Sequence, residues 1–96
     1  MTTQFLQRLH EIINEFNSEG MGESARAEID KAKALWHTTD IKHQRFALRH
    51  FIAANVIGGN EKLHELIELI RFTLLGMDVS AKAMLDIYEE KTLENS

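Results

Sequence analysis

The stretch DIKHQRFALRHFIAANVI, Asp40 to Ile57, decides the fold. At helical spacing Ile41, Leu48 and Ile52 fall together, Ala47, Phe51 and Ala54 lie beside them, and Phe46 and Ile57 take another side. Polar surface narrows to Lys42, Arg45 and Arg49, spaced i, i+3, i+7. A helix apolar over most of its circumference is one packed by several neighbours. The segment is therefore expected at the centre of the fold, with Ile41, Leu48, Phe51 and Ile52 in the core. His43, Phe46, His50 and Ile57 form a second face. Thr38 or Thr39 is expected as its N-cap, with Asp40 in the first turn where the helix dipole favours negative charge. Gly58 is expected just past its end, in the positive-φ conformation that glycine adopts without steric cost.

Working outward, four more segments carry helical periodicity. From about Thr3 to Asn17, Phe5, Leu6, Leu9, Ile12, Ile13 and Phe16 make one apolar face, and Thr2 or Thr3 can cap it. From about Glu23 to His37 the inward stripe is Ala25, Ile29, Ala32 and Trp36, with Leu35 at its margin. Small residues there allow a neighbouring helix to approach closely. Asn60 caps a segment of about Glu61 to Leu75, with Leu63, Leu66, Ile67, Ile70 and Leu74 inward and Gly76 at its end. Asp78 or Ser80 caps a last segment, about Val79 to Lys91, whose expected face is Ala83, Met84, Ile87 and Tyr88, with Leu85 beside it. Proline is absent, so glycine supplies most of the punctuation. The fold class expected is all-α: a compact bundle of about five helices with a central third helix, in a single domain spanning 1–96.

Composition narrows the function classes. The chain has 96 residues, enough for one domain with one core. It has no cysteine, which excludes disulfides and thiolate metal sites. Charged residues arrive by Arg8 and no apolar run approaches the roughly 20 residues of a membrane span, so neither a secretory signal nor membrane insertion is expected. A cytoplasmic location is the expectation. The formal net charge of −4 disfavours nucleic-acid binding by the molecule as a whole.

Three constellations are candidates for function. His43 and His50 share a face of the third helix, and His64 lies just across the Gly58-Gly59 turn. Imidazoles at such positions can bind a small ligand or a transition metal. Asp40 to His43 and Glu61 to His64 add two carboxylate-to-histidine spacings of three. The glutamates a di-iron bundle needs from two further helices are not on inward faces, so no cofactor is expected. Lys42, Arg45 and Arg49 form a basic face. From residue 31 to 50 there are five Lys/Arg against one acid, Asp40, and such a patch suits an acidic protein surface or phosphates. Leu69, Phe72 and Leu75 lie outside the core stripe of the fourth helix and are candidates for an apolar interface, including that of a homodimer.

Other signals are weaker. Glu61, His64, Glu65, Glu68 and Arg71 read as a solvated helix face, since no nucleophile, base and orienting group stand at a recognisable spacing. The turn from Leu75 to Ser80 has the outline of a helix-turn-helix. Lys82 falls where that motif needs an apolar residue, and Asp86, Glu89 and Glu90 would repel phosphate from the second helix. The expectation is a non-catalytic interaction or regulatory module that binds another protein or itself. The alternatives are a ligand- or metal-binding bundle using His43, His50 and His64, and a nucleic-acid binder using Lys42, Arg45 and Arg49.

Overall fold

Apolar residues recur at helical spacing most clearly in the first, second and fourth segments, and the computed structural model forms helices over all five. It describes residues 3–37 and 40–94, with side chains to residue 91. The described residues form α1 (Thr3–Glu15), α2 (Glu23–Trp36), α3 (Ile41–Gly58), α4 (Glu61–Leu74) and α5 (Asp78–Glu94), and no strand. The all-α class is thus what the chain adopts. The radius of gyration is 12.4 Å, against ~12.5 Å for a compact chain of this length. None of the described helices is long and apolar enough to cross a membrane.

Helix ends follow from local hydrogen bonding. Asp40 itself is the N-cap of α3, its carboxylate accepting from the Lys42 N–H at 2.9 Å. The threonines expected in that role, and Thr2 at the start of α1, lie outside the described residues. Asn60 caps α4 by accepting from the Leu63 N–H at 2.8 Å. At the other end of α4, Gly76 has φ 71°, the Met77 N–H donates to the Phe72 carbonyl, and the Gly76 N–H donates to that of Thr73. This pair of bonds is the Schellman arrangement, which satisfies the last carbonyls. The end of α3 differs from expectation. Gly58 is still helical, Gly59 is the C-cap at φ −78°, and neither has positive φ. Glycine is required at 59 by closeness instead: a Cβ there would meet the Asn55 side chain and lie 2.6 Å from the Asn55 Cα.

Packing order puts α3 between α2 and α4. Most of its contact is along α2, with a shorter seam on α4, while α5 packs along α4. Alanines make the α2–α3 seam close, since Ala25, Ala32, Ala47 and Ala54 are all fully buried. α1 adds Leu9, Ile12, Ile13 and Phe16 to the core. Its C-terminal carbonyls are held by Lys33 of α2, whose Nζ donates to Phe16 O at 2.6 Å and Asn14 O at 3.3 Å. The most deeply buried helix is α4, which contributes Leu63, Leu66, Ile67, Leu69 and Ile70.

Three expectations about faces need correction. Leu69 is no interface residue: it is fully buried, because α4 is covered on more than one side. Phe72, offered with it, is half-buried against the same core. Ile41 and Ile52, placed in the core from periodicity, are 47% and 40% exposed, since the inward side of α3 is the narrower strip Ala47, Phe51 and Ala54. In α5 the inward side is Ala81, Met84, Leu85 and Tyr88, which turns Ala83 and Ile87 outward.

These assignments separate two leucine-sized side chains by cost. Leu69→Ala is expected to lose about 2–5 kcal/mol of unfolding free energy, the range for opening a cavity in a core. Ile52→Ala is expected to stay within about 0.5 kcal/mol, as at an open surface. Urea titration of both variants checks this, and equal losses would reverse the facing of α3 and α4. Gly59→Ala is expected to lower the urea midpoint through its clash with Asn55, typically by the equivalent of about 1–3 kcal/mol. An unchanged midpoint would show that the end of α3 relaxes freely.

Candidate functional site

The outward half of α3 is unusual for its composition. Ile41, Lys42, Arg45, Phe46, Arg49, Ile52, Val56 and Ile57 are all exposed. Val56 shows 80% of its surface and Ile57 54%. No residue of α3 is acidic. The face is therefore a mixture of basic and apolar side chains, with the positive charge in its N-terminal half and the bare aliphatic surface in its C-terminal half. Isolated exposed apolar residues are ordinary, whereas a contiguous group on one helix marks an interaction surface.

The basic side chains of this face are not matched by acids. Lys42, Arg45 and Arg49 make no ion pair among the described residues, and Arg49 lies 5.4 Å from the centre of the Phe46 ring. Several acids pair with other bases instead. Arg8 binds Glu89 through two nitrogens, at 2.8 and 3.0 Å, and lies 3.3 Å from Glu11 and 3.7 Å from Glu15. The hydrogen bonds that Arg8 donates to the Glu89 carboxylate hold its guanidinium further into the charged form than usual. One arginine of α1 thus gathers three carboxylates from α1 and α5. Glu68 pairs with Arg71, and Glu61 with Lys91.

The histidine candidates are not brought together. His43 has its Nδ1 3.3 Å from Asp40 Oδ2, without hydrogen-bond geometry. His50 turns to α2, its Nδ1 2.6 Å from Glu28 Oε2. His64 is exposed on α4. Among the described residues no group of three or more His, Asp or Glu is placed to hold a metal ion. His10 and His37 meet edge to face, with ring centres 5.2 Å apart, between α1 and the end of α2. No spacing rule signals a contact between residues on different helices. Of the apolar candidates on α4, Leu75 alone is outward, 65% exposed beside the Gly76 turn.

Comparison of the chain with models of known protein families, with curated proteins and with solved structures finds no match.

The Glu28–His50 contact joins α2 to α3 and makes the placement of the α3 face sensitive to acid. The hydrogen bond with His50 is the main reason that the Glu28 pKa is lowered, with Lys31 adding to it. A carboxylate whose folded pKa is depressed contributes stability that is present above its unfolded pKa and lost as pH falls through the folded one. His50→Ala is expected to remove this contribution. The stability difference between wild type and His50→Ala should be largest at neutral pH and shrink below about pH 4. Urea unfolding at a series of pH values measures it, and a difference that does not change with acid would mean that the contact carries no linkage.

Proposed function

We propose that this chain is a non-catalytic protein-interaction module whose docking face is the outward side of α3. Its partner presents carboxylates next to an apolar ridge. The observation that carries the reading is the conjunction on one helix face of Arg45 and Arg49, which make no ion pair among the described residues, and Ile52 and Val56, open to solvent. Charges so placed steer encounter with an acidic surface and set register, while burial of the aliphatic side chains supplies the affinity. The apolar half favours protein over nucleic acid, because phosphate backbones offer nothing to Ile52, Val56 and Ile57, and the overall charge of −4 opposes approach to a polyanion.

A photo-crosslinking amino acid at Val56, with one at the exposed Arg26 of α2 as control, tests this in cells that express the chain. Adducts with acidic proteins are expected at position 56, absent at 26, and lost when Arg45→Glu and Arg49→Glu are added. The reading fails if both positions yield the same products, if the charge reversal changes nothing, or if the material captured at 56 is nucleic acid.

A further inference from the structure

The outward face of α5 mirrors that of α3. Val79, Ala83, Asp86 and Glu90 are all exposed, Val79 at 85%. Neither Asp86 nor Glu90 makes an ion pair among the described residues. Counted from the N-terminus, the α3 residues Arg45, Arg49, Ile52 and Val56 are separated by four, three and four positions. Counted from the C-terminus, the α5 residues Glu90, Asp86, Ala83 and Val79 are separated by the same four, three and four. Steps of three and four keep side chains on one stripe of a helix. Each stripe carries two charges followed by two apolar side chains, and the charges are opposite in sign.

Laid antiparallel, the stripes match at every step: Arg45 with Glu90, Arg49 with Asp86, Ile52 with Ala83 and Val56 with Val79. The seam is about 16 Å long at the helical rise of 1.5 Å per residue. Ala83 allows the close approach that Ile52 needs. Lys82 lies at the edge of the α5 stripe, level with Ala53 and away from the arginines. Within one molecule both stripes are open to solvent, so the match is available only between molecules.

We propose that the occupant of the α3 face is a second copy of this chain, whose α5 lies antiparallel along it in this register. The proposal rests on the docking role given to α3 above and names the partner. The contact joins two different surfaces. It closes as a pair where a twofold axis lets α3 and α5 of each copy meet α5 and α3 of the other, and otherwise extends head to tail. One such seam is small beside a standard interface, so association is weak and is favoured by low salt.

The absence of native cysteine makes the register directly testable. Proteins carrying Val56→Cys or Val79→Cys alone are mixed in equal amounts at low salt and oxidised slowly. The disulfide between residues 56 and 79 is expected to exceed each same-site disulfide by at least tenfold, against twofold for random collision. Melting of the reduced variants, both altered at open positions, should match that of the parent. Separately, Arg45→Glu/Arg49→Glu and Asp86→Lys/Glu90→Lys are each expected to sediment as monomers where wild type associates. Their equimolar mixture, in which opposite charges again face each other, is expected to recover association. A random disulfide ratio, no disulfide, or a mixture that stays monomeric overturns the proposal. If adducts with other acidic proteins persist at Val56 in that case, self-pairing alone is rejected. If position 56 captures nothing, the docking role of α3 falls with it.

Discussion

Burial of α4 on more than one side is the constraint that arranges the rest. Leu63, Leu66, Ile67, Leu69 and Ile70 occupy too wide an arc of that helix for a single neighbour to cover. Each such side chain withdrawn from water is worth about 1.5–3 kcal/mol, so α4 is driven to take α3 on one flank and α5 on another. The Schellman turn at Gly76 reverses the chain tightly enough for α5 to return along α4. The Asn60 cap and the tight Gly59 approach do the same between α3 and α4. With α4 in the interior, α3, set between α2 and α4, and α5 each keep one side in water.

That arrangement explains what was legible in the sequence. Periodicity finds all five helices, and it places α2 well, and α1 apart from Leu6, which is 48% exposed, because one stripe is all they bury. Ala25, Ile29, Ala32 and Trp36 are inward as expected. It misjudges α3 and α4 for a common reason. Both are apolar around most of their circumference, and periodicity reports where apolar residues are without reporting how many neighbours exist to cover them. Leu69 looked surplus and is core; Ile41 and Ile52 looked like core and are surface. In α5 the low contrast between faces let Ala83 and Ile87 stand in for Ala81 as inward residues. The basic face was legible, as Lys42, Arg45 and Arg49 are a local charge asymmetry in an acidic chain. That these three make no ion pair among the described residues was not, because it depends on which helices pack beside α3.

The distribution of charge is as informative as its amount. Around Arg8, Glu89, Glu11 and Glu15 satisfy much of their field locally at one edge of the bundle. Such exposed pairs contribute little to stability, typically no more than about 1 kcal/mol. Lys42, Arg45 and Arg49 remain a positive strip on a molecule of net negative charge, and Asp86 and Glu90 remain a negative one.

Stability and surface chemistry pull α3 in different directions. To the core it gives Ala47, Phe51 and Ala54, with Leu48 packed against them, and Glu28 reaches His50 to tie it to α2. A polar outer face would be compatible with these contacts and would keep the helix more soluble. Ile52, Val56 and Ile57 contribute little to the core from their exposed positions, and leaving them in water favours association. On the proposed reading, the apolar and basic character of that face is explained by what binds to it, and the same reading covers Val79 of α5, the most exposed large apolar side chain among the described residues.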